Sequence, residues 1–249
     1  MIAYGSTNRG LVRPTNQDTY AIEEFKSIDA MLLVVCDGMG GASAGNVASR
    51  YAAERFTEEV RHEIQADMDN TYMEDLLRVR AQYANQSVFE LSIQQPEFRG
   101  MGTTLVAALV QGENAVLVNV GDSRAYLVRD GEARQLTEDH SYVQEMVRKG
   151  KITPEQSRNH PHKNLITRAV GVDTFVDSDL FDYTLREDDV LLLCSDGLTG
   201  MVEDSKIAQI IGDAATLEQA AGELIVSACE NGGTDNITVV LFRRGSSAE

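Results

Sequence analysis

Apolar positions along the chain divide it into extended and helical parts. Residues 31–36 form a short, continuous and β-branched apolar run, which predicts a strand that is buried on both faces. Apolar residues at helical spacing then predict one helix in residues 46–64 and a second in residues 73–93, and Pro96 ends the second helix. These apolar stripes are most simply faces of a hydrophobic core.

The chain changes to an extended pattern from Gly102 onwards. Short apolar segments separated by turn-like sequences predict successive strands, and the polar residues 141–168 predict a mobile helical flap or loop. The pattern after the flap predicts a strand, two helices and a closing strand, in residues 189–197, 203–212, 216–233 and 236–244. Because strands and helices are segregated rather than strictly alternating, an α+β fold with antiparallel sheets is favoured.

Composition and charge restrict the class of protein. The 249 residues, 43% of them hydrophobic and 24% charged, have an ordinary globular composition and could form one large domain or two small ones, with a flexible tail at 245–249. A net charge of −17 argues against nucleic acid or an anionic membrane as a partner. The three cysteines have no paired spacing, so no set of disulfides is indicated. Neither a signal-peptide pattern nor a membrane-spanning apolar run is present. We therefore expect a cytoplasmic protein.

A glycine-rich segment, DGMGGASAG at residues 37–45, directly follows the first predicted strand. Such a loop could hold the phosphates of a nucleotide, or it could place an aspartate at a metal ion. A phosphate-binding loop requires Lys-Ser or Lys-Thr where Asn46 and Val47 stand, and the dinucleotide-binding pattern fails at Ser43. The glycines are better explained by positive backbone φ angles and by close approach to a ligand.

Four aspartates lie where predicted strands begin or end, each close to a glycine: Asp37, Asp122, Asp196 and Asp235. One such aspartate is usually a turn residue or a helix N-cap, but four are hard to attribute to turns. Sheet ends can bring distant side chains together, and clustered carboxylates require cations. Carboxylate ligands without His or Cys are typical of Mg²⁺ or Mn²⁺, and two such ions about 3.5–4 Å apart activate a water for attack on phosphorus.

An arginine close to a further aspartate, Asp18, offers an anion-binding group. Arg13 lies in the polar segment RGLVRPTNQDTY at residues 9–20 and could grip a phosphate through a two-pronged contact. From this segment alone, a surface arginine is an equally good interpretation.

Short motifs follow one another along nearly the whole chain, from about residue 4 to residue 243: RPTNQD, DGMGG, GTT, GDSRAY, LTEDHS, ITRAVG, CSDGL and GGTDNITVV. In this order they resemble the motifs of metal-dependent serine/threonine phosphatases of the protein phosphatase 2C (PPM) family. The chain most resembles the compact bacterial members that oppose eukaryotic-like serine/threonine kinases. The resemblance implies a single domain over residues 1–244, with two antiparallel β-sheets packed face to face, flanked by helix pairs, and a flap at about residues 142–168.

The resemblance also implies an activity and its partners. The activity is Mn²⁺- or Mg²⁺-dependent hydrolysis of phosphoserine and phosphothreonine by a metal-bridging hydroxide. Phosphorylated proteins and a cognate serine/threonine kinase would be the partners, without nucleic acid or membrane, and a monomer is the default. The alternatives are a catalytically silent phosphopeptide-binding module, which predicts a missing carboxylate, and a phosphatase dedicated to one regulatory partner, which predicts additional sensory segments.

Roles for metal-binding residues follow from the same resemblance. Asp37 would bridge two metal ions, and the Gly38 carbonyl would bind the second of them. Asp196 and Asp235 would complete the first ion. Asp122, together with Asp196, would hold a third and weaker ion.

The remaining roles concern the reactants. Asp18 would orient metal-bound water, and Arg13 would hold the substrate phosphate. Met39 replaces a histidine that is proposed as general acid in some relatives, and Gln17 replaces a glutamate ligand, although other bacterial members share both residues. His160 is a candidate substitute proton donor, or else simply a residue of the flap.

Overall fold

The computed structural model describes residues 1–158 and 160–245, without the side chains of residues 42 and 43. The strands are β1 (Ile2–Asn8), β2 (Asp18–Phe25), β3 (Ala30–Met39), β4 (Gly102–Thr103), β5 (Leu105–Gln111), β6 (Asn114–Val120), β7 (Arg124–Arg129), β8 (Glu132–Gln135), β9 (Asp179–Thr184), β10 (Val190–Cys194) and β11 (Ile237–Arg243). The helices are α1 (Gly41–Glu63), α2 (Asn70–Gln94), α3 (Tyr142–Arg148), α4 (Pro154–Arg158), α5 (Asp196–Thr199), α6 (Asp204–Asp213) and α7 (Leu217–Glu230).

The strands form two antiparallel sheets, which confirms the expected α+β architecture. The first sheet has the order β1-β11-β10-β7-β8, and the second has the order β2-β3-β5-β6-β9, with the short strand β4 paired to β3. In the first sheet, β1 and β11 are neighbours, and their register places Ile2 opposite Arg243 and Asn8 opposite Ile237.

Three hydrophobic layers hold the sheets and helices together. The sheets pack face to face through alternate residues of their strands, among them the fully buried Leu33, Val106, Leu193 and Phe242. On its outer face the second sheet is covered by α1 and α2, and the first sheet is covered by α6 and α7. The fold is therefore a succession of helices, sheet, sheet and helices.

Most predicted elements are present, with shifted ends. The predicted first strand is the centre of β3, and α1 begins at Gly41 rather than at residue 46, because Gly40, with φ of 123°, turns the chain directly from strand to helix. α2 begins after Asp69, whose Oδ1 atom accepts a 2.8 Å hydrogen bond from Tyr72 N. The apolar pattern does not predict β1, β2, β9 or the short helix α5. All three of these strands lie at sheet edges.

The segment expected to be a flap contains α3 and α4, and backbone hydrogen bonds join its two ends. Tyr142 N donates to Leu165 O, and Thr167 N donates to His140 O, both at 2.8 Å. The flap therefore leaves the sheets and returns to them at nearly the same place, where its two ends are hydrogen-bonded to each other. Residue 159 in the flap, and residues 246–249 of the expected flexible tail, lie outside the described residues.

Two further features bear on the expected surroundings of the protein. In the part of the chain that the structure describes, every helix is too short or too polar to cross a membrane. Cys36, Cys194 and Cys229 are free thiols, and the first two are buried.

Candidate metal centre

A cleft of about 410 Å³ opens at the edge where the two sheets meet. Its lining includes residues to which the sequence analysis assigns chemistry, namely Arg13, Asp37, Gly38, Asp122, Asp196 and Asp235. They belong to distant parts of the chain: the loop between β1 and β2, the end of β3, the turn after β6, the start of α5 and the turn before β11. The fold therefore brings this predicted set together at one site, and Asp18 lies directly opposite Asp37 in the neighbouring strand.

Asp37 is held in place through its backbone. Its amide N donates to Thr104 Oγ1, and its carbonyl accepts from Thr104 N and Thr103 Oγ1, each at 2.9 Å. Thr104 Oγ1 also lies 2.7 Å from Ser123 Oγ, next to Asp122. These bonds account for the GTT motif, to which the sequence analysis assigned no role, and they leave the Asp37 carboxylate free to face the cleft.

Asp18 connects the two sheets through its carboxylate. Its Oδ2 atom accepts hydrogen bonds of 2.7 Å from Ser195 Oγ and from Thr238 Oγ1, which belong to the first sheet and its adjoining turn. Its other oxygen, Oδ1, is buried and has no hydrogen-bond partner among the described residues. Burial raises the pKa of Asp18 to about 7, although the bonds from Ser195 and Thr238 lower it.

The carboxylates of the cleft repel one another. Burial, followed by repulsion from Asp18, raises the pKa of Asp37 well above its usual value, and burial with repulsion from Asp196 does the same for Asp122. Burial and repulsion from Asp235 raise the pKa of Asp196 to about 6, and Asp196 Oδ1 is buried without a hydrogen-bond partner in the described residues. Charged carboxylates are therefore unfavourable here unless a cation lies beside them.

Arg13 supplies one positive charge to this cluster. Its Nη2 atom donates to Asp235 Oδ2 at 2.6 Å, and this bond raises the pKa of the guanidinium, with help from the charges of Asp37 and Asp196. The arginine side chain lines the cleft and is half exposed. The residue expected to hold phosphate and a residue expected to hold metal therefore contact each other in this structure.

The glycine-rich segment is explained by local packing. A Cβ atom on Gly38 would lie 2.0 Å from the Gly45 carbonyl oxygen and 2.7 Å from that of Gln17, so that no side chain fits there. Gly40 has the positive φ angle that the sequence predicts. The close approach at Gly38 is made to neighbouring backbone, whereas a ligand was expected. Gln17 Nε2 donates to Gly41 O at 3.0 Å and holds the segment beside the cleft.

The cleft offers the hard oxygen ligands that Mg²⁺ and Mn²⁺ prefer. Asp196 Oδ1 in its lining is buried without a partner in the described residues, as is Oδ1 of Asp18, which lies opposite Asp37 but outside the lining. A cation would satisfy such an oxygen. Over residues 1–158 and 160–245, no three Asp, Glu, His or Cys side chains approach closely enough to form a finished metal cage. Asp235 is bonded to Arg13. The donor set fits a divalent cation, and closing a cage around one requires these side chains to move.

A buried histidine joins the turn that carries Asp122 to the base of the flap. Gly121 N donates to His140 Nδ1 at 3.1 Å, so that the ring proton lies on Nε2, which is 3.1 Å from Asp179 Oδ2. Arg168 Nη1 donates to the other oxygen of Asp179 at 2.7 Å. The motifs LTEDHS and ITRAVG contain His140 and Arg168, whereas Asp179 lies in neither motif. The contacts show a positioning network that motif spacing alone does not reveal.

Comparison with known proteins identifies the family. The family model described as Protein phosphatase 2C matches residues 12–237 of the chain. The chain belongs to the protein phosphatase 2C family. The matched range includes Arg13 and every aspartate that lines the cleft.

Similar members of the protein phosphatase 2C family include a curated protein and solved structures. The serine/threonine phosphatase stp of Listeria monocytogenes is 42% identical over 238 residues, which cover 96% of this chain and 94% of that protein. The crystal structure of the serine/threonine phosphatase Stp1 from Staphylococcus aureus has a TM-score of 0.91 and 37% identity, with 98% of this chain and 95% of that chain covered. The catalytic domain of the phosphatase PstP, solved in complex with 2 manganese ions, has a TM-score of 0.86 and 34% identity, with 98% of both chains covered.

The positions at which this protein phosphatase 2C member departs from some relatives also lie near the cleft. Met39 lines it and carries a thioether, which donates no proton. The flap residues that reach the cleft are Asn164 and Ile166. His160 is not among the described residues in the lining, and its ring instead lies 6.2 Å from that of Tyr142. The structure thus places His160 within the flap and gives no support to a role as proton donor.

Proposed function

We propose that the cleft hydrolyses phosphoserine and phosphothreonine in proteins with divalent cations. The observation that carries this proposal is the convergence of four aspartates from separate segments on one cleft that also contains Arg13. A cluster of carboxylates accepts a negatively charged phosphate only when cations reverse its charge. Membership of the protein phosphatase 2C family, and serine/threonine phosphatases among its similar members, support the same activity.

Manganese or magnesium ions suit the donor set of the cleft. Asp37, the Gly38 carbonyl, Asp196 and Asp235 would hold two such ions, with Asp37 contributing to both, the Gly38 carbonyl to the second, and Asp196 and Asp235 to the first. Asp122 and Asp196 both line the cleft, and these two carboxylates would hold a third ion. When bound, the cations would neutralise the carboxylates, polarise the phosphate and lower the pKa of the attacking water.

Residues of the chain bind and orient the reactants in this proposal. Arg13 grips the phosphate oxygens with its planar guanidinium, which has donors beyond the one bonded to Asp235. Asp18 is fixed by Ser195 and Thr238 and lies opposite Asp37, and we assign to it the orientation of the attacking water. Met39 has no proton to give, so we assign to water the proton that converts the departing serine or threonine oxygen into a hydroxyl.

The proposal extends to the setting of the reaction. The substrates are phosphorylated proteins, and a serine/threonine kinase that modifies the same proteins is the expected partner. We propose that the chain acts as a monomer. The free thiols of Cys36, Cys194 and Cys229 suit the reducing cytoplasm.

A chelation experiment tests the proposed function. Protein dialysed against EDTA is assayed on p-nitrophenyl phosphate and on a phosphothreonine peptide, before and after Mn²⁺ is added back. We expect no turnover in EDTA and full recovery with Mn²⁺. Turnover that is indifferent to EDTA would contradict the metal assignment. The alternative, a catalytically silent phosphopeptide-binding module, predicts binding of the peptide without turnover, and the presence of all the predicted carboxylates at the cleft does not favour it.

A further inference from the structure

A second groove, of about 310 Å³, opens beside the cleft. Met39 and Ile166 line both the cleft and this side groove, so the two spaces adjoin each other. Beyond them the side groove is lined by Val172 and Phe175 in the segment that follows the flap. A chain segment that enters the cleft therefore has direct access to an apolar surface.

Gly102 leaves space for two apolar side chains of the side groove. Gly102 pairs with Met39 between β4 and β3. A Cβ atom on Gly102 would lie 2.8 Å from Met39 Cε and 2.8 Å from Val172 Cγ2. Both methyl groups therefore lie close to this glycine, and a larger residue at position 102 would displace them.

The rim of the side groove is formed by exposed apolar side chains. Phe175 is 68% exposed and Val172 is 42% exposed. Single exposed apolar residues are common, but an aromatic side chain at the mouth of a groove is typical of a surface that binds a partner. Their position beside the cleft makes chance exposure a poor explanation.

The loop that carries Phe175 is fixed by hydrogen bonds from α2 on both sides of it. The buried Asn85 accepts a 2.8 Å bond from Gly171 N and donates a 3.0 Å bond to Asp173 O. Gln82 donates a 3.0 Å bond to Thr174 O and accepts a 3.1 Å bond from Val176 N. Phe175 is therefore held outwards by a rigid loop, which reduces the entropy lost when it binds another surface.

The charge near the side groove argues against a second phosphate as its occupant. Arg168 is the basic residue in its lining, but its Nη1 atom is 2.7 Å from Asp179 Oδ1 and 3.7 Å from Asp177 Oδ2. Its charge is thus already balanced by carboxylates. The carboxylates of Asp173 and Asp177 also line the groove and would repel an anion, so the apolar part of the lining is the surface that suits an uncharged occupant.

We propose that the side groove binds an apolar side chain of the substrate protein, close in sequence to its phosphorylated residue. This inference rests on the proposed phosphatase function, because the phosphorylated residue must occupy the cleft while its neighbour occupies the groove. An extended chain advances about 3.3 Å per residue, so a neighbour within a few positions reaches a space that shares Met39 and Ile166 with the cleft. The preferred substrates are phosphoproteins with a Leu, Ile, Val or Phe beside the phosphorylated residue.

A set of phosphothreonine peptides tests this proposal on the Mn²⁺-loaded enzyme. The peptides carry either Leu or Ser at one position, scanned over three residues on each side of the phosphothreonine. We expect kcat/KM for Leu to exceed that for Ser by about tenfold or more at one position. The variants Phe175→Ser and Val172→Ser should reduce this ratio towards one. Val226→Ser is the matched control, since Val226 is 53% exposed on α7 over the other sheet, and it should keep the full ratio.

The outcomes separate this proposal from the proposed function. A ratio close to one at every position, in an enzyme that hydrolyses p-nitrophenyl phosphate, overturns the side groove and leaves the phosphatase activity intact. A full ratio that persists in both variants also overturns it. If the enzyme does not hydrolyse p-nitrophenyl phosphate in the presence of Mn²⁺, the result contradicts the proposed phosphatase function itself. A wild-type dimer that Phe175→Ser dissociates in sedimentation velocity shows that a second copy of the chain occupies the groove, and it contradicts the proposal.

Discussion

Ser195 Oγ donates a 2.7 Å hydrogen bond to Asp18 Oδ2, and this bond joins the two sheets beside the cleft. Asp18 lies opposite Asp37 in the second sheet, whereas Ser195 directly precedes Asp196 at the end of a strand in the first. The bond therefore helps to fix the position of carboxylates from one sheet relative to those from the other.

Replacing Ser195 by alanine tests this connection. Asp18 Oδ2 keeps only the bond from Thr238 Oγ1, and Thr238 N loses its acceptor, so we expect the free energy of unfolding to fall by about 1–3 kcal/mol. We also expect kcat to fall more than KM rises, because Asp18 would no longer be fixed. Urea unfolding and steady-state kinetics with Mn²⁺ measure the two effects.

Thr238 provides the matched pair for that experiment. Thr238→Ser keeps the hydroxyl donor to Asp18, and Thr238→Val keeps the shape but removes the donor. We expect the serine variant to retain most of its kcat and the valine variant to lose most of it. Equal kcat values in the two variants would show that the bond to Asp18 does not affect the chemistry.

Replacing Asp196 by asparagine tests the metal assignment. The change removes one charge from a set of mutually repelling carboxylates, so we expect an intact fold and an unchanged or higher Tm without metal. Turnover of p-nitrophenyl phosphate should fall by at least about 100-fold, because metal polarisation supplies several kcal/mol of catalysis. Near-normal turnover at saturating Mn²⁺ would refute the role of Asp196.

Metal binding by the same variant can be followed without activity. At about 100 times its Kd, a ligand stabilises the folded state by about 2.7 kcal/mol, which for a chain of this size raises Tm by roughly 5–10 °C. Wild-type protein should show this shift with Mn²⁺, and Asp196→Asn should not. Asp188→Asn is the control, because Asp188 is an exposed aspartate between β9 and β10, and it should keep the shift.

Replacing Arg13 by alanine should affect substrate and metal in opposite directions. Loss of charge-assisted hydrogen bonds to the phosphate should raise KM for a phosphopeptide by about 10-fold or more. The Mn²⁺ concentration for half-maximal activity should fall, because the change frees Asp235 from its 2.6 Å bond to Arg13. Kinetics at varied peptide and Mn²⁺ concentrations measure both values.

Arg13→Lys separates charge from geometry at this position. Lysine keeps the charge but cannot make a two-pronged contact, so we expect an intermediate KM. An unchanged KM in Arg13→Ala would remove Arg13 from the phosphate site.

His140 is expected to act by positioning the turn before Asp122. His140→Ala leaves Gly121 N and Asp179 without this partner and should lower the free energy of unfolding by about 1–3 kcal/mol. His140→Asn places an amide oxygen near the position of Nδ1 and should preserve more activity than His140→Ala. The polar group of glutamine lies nearer Nε2, so His140→Gln should preserve no more activity than His140→Ala. Chemical unfolding and the Mn²⁺ dependence of kcat measure these effects, and His62→Ala, at an exposed position on α1, is the control.

The sequence predicts the central strands but misses three of the four edge strands, for a physical reason. β3 and β10 are buried along nearly their whole length, so that their apolar runs are continuous. β1, β2 and β9 each have one neighbouring strand, and most of their residues are partly exposed. They form because a buried neighbour offers hydrogen bonds, and this tertiary contribution is not visible in a local pattern.

The sequence predicts which residues line the cleft, but it does not predict the hydrogen bonds that these residues form. Aspartates next to glycines at strand ends are a local pattern, and Asp37, Asp122, Asp196 and Asp235 all reach the cleft. The bond between Arg13 and Asp235 joins residues 222 positions apart. The bonds from Ser195 and Thr238 to Asp18 likewise depend on the packing of the sheets. Spacing in the sequence carries no information on such contacts.

The register of β1 and β11 has a consequence for larger assemblies. Asn8 and Ile237 lie at the end of these strands nearest Asp235, whereas Ile2 and Arg243 lie at the other end, about 20 Å away at 3.3 Å per residue. A tag, surface tether or fused domain joined at Ile2 or Arg243 would thus be attached at the strand ends far from the cleft. Immobilising the molecule through Ile2 or Arg243 therefore leaves the cleft accessible to large protein substrates.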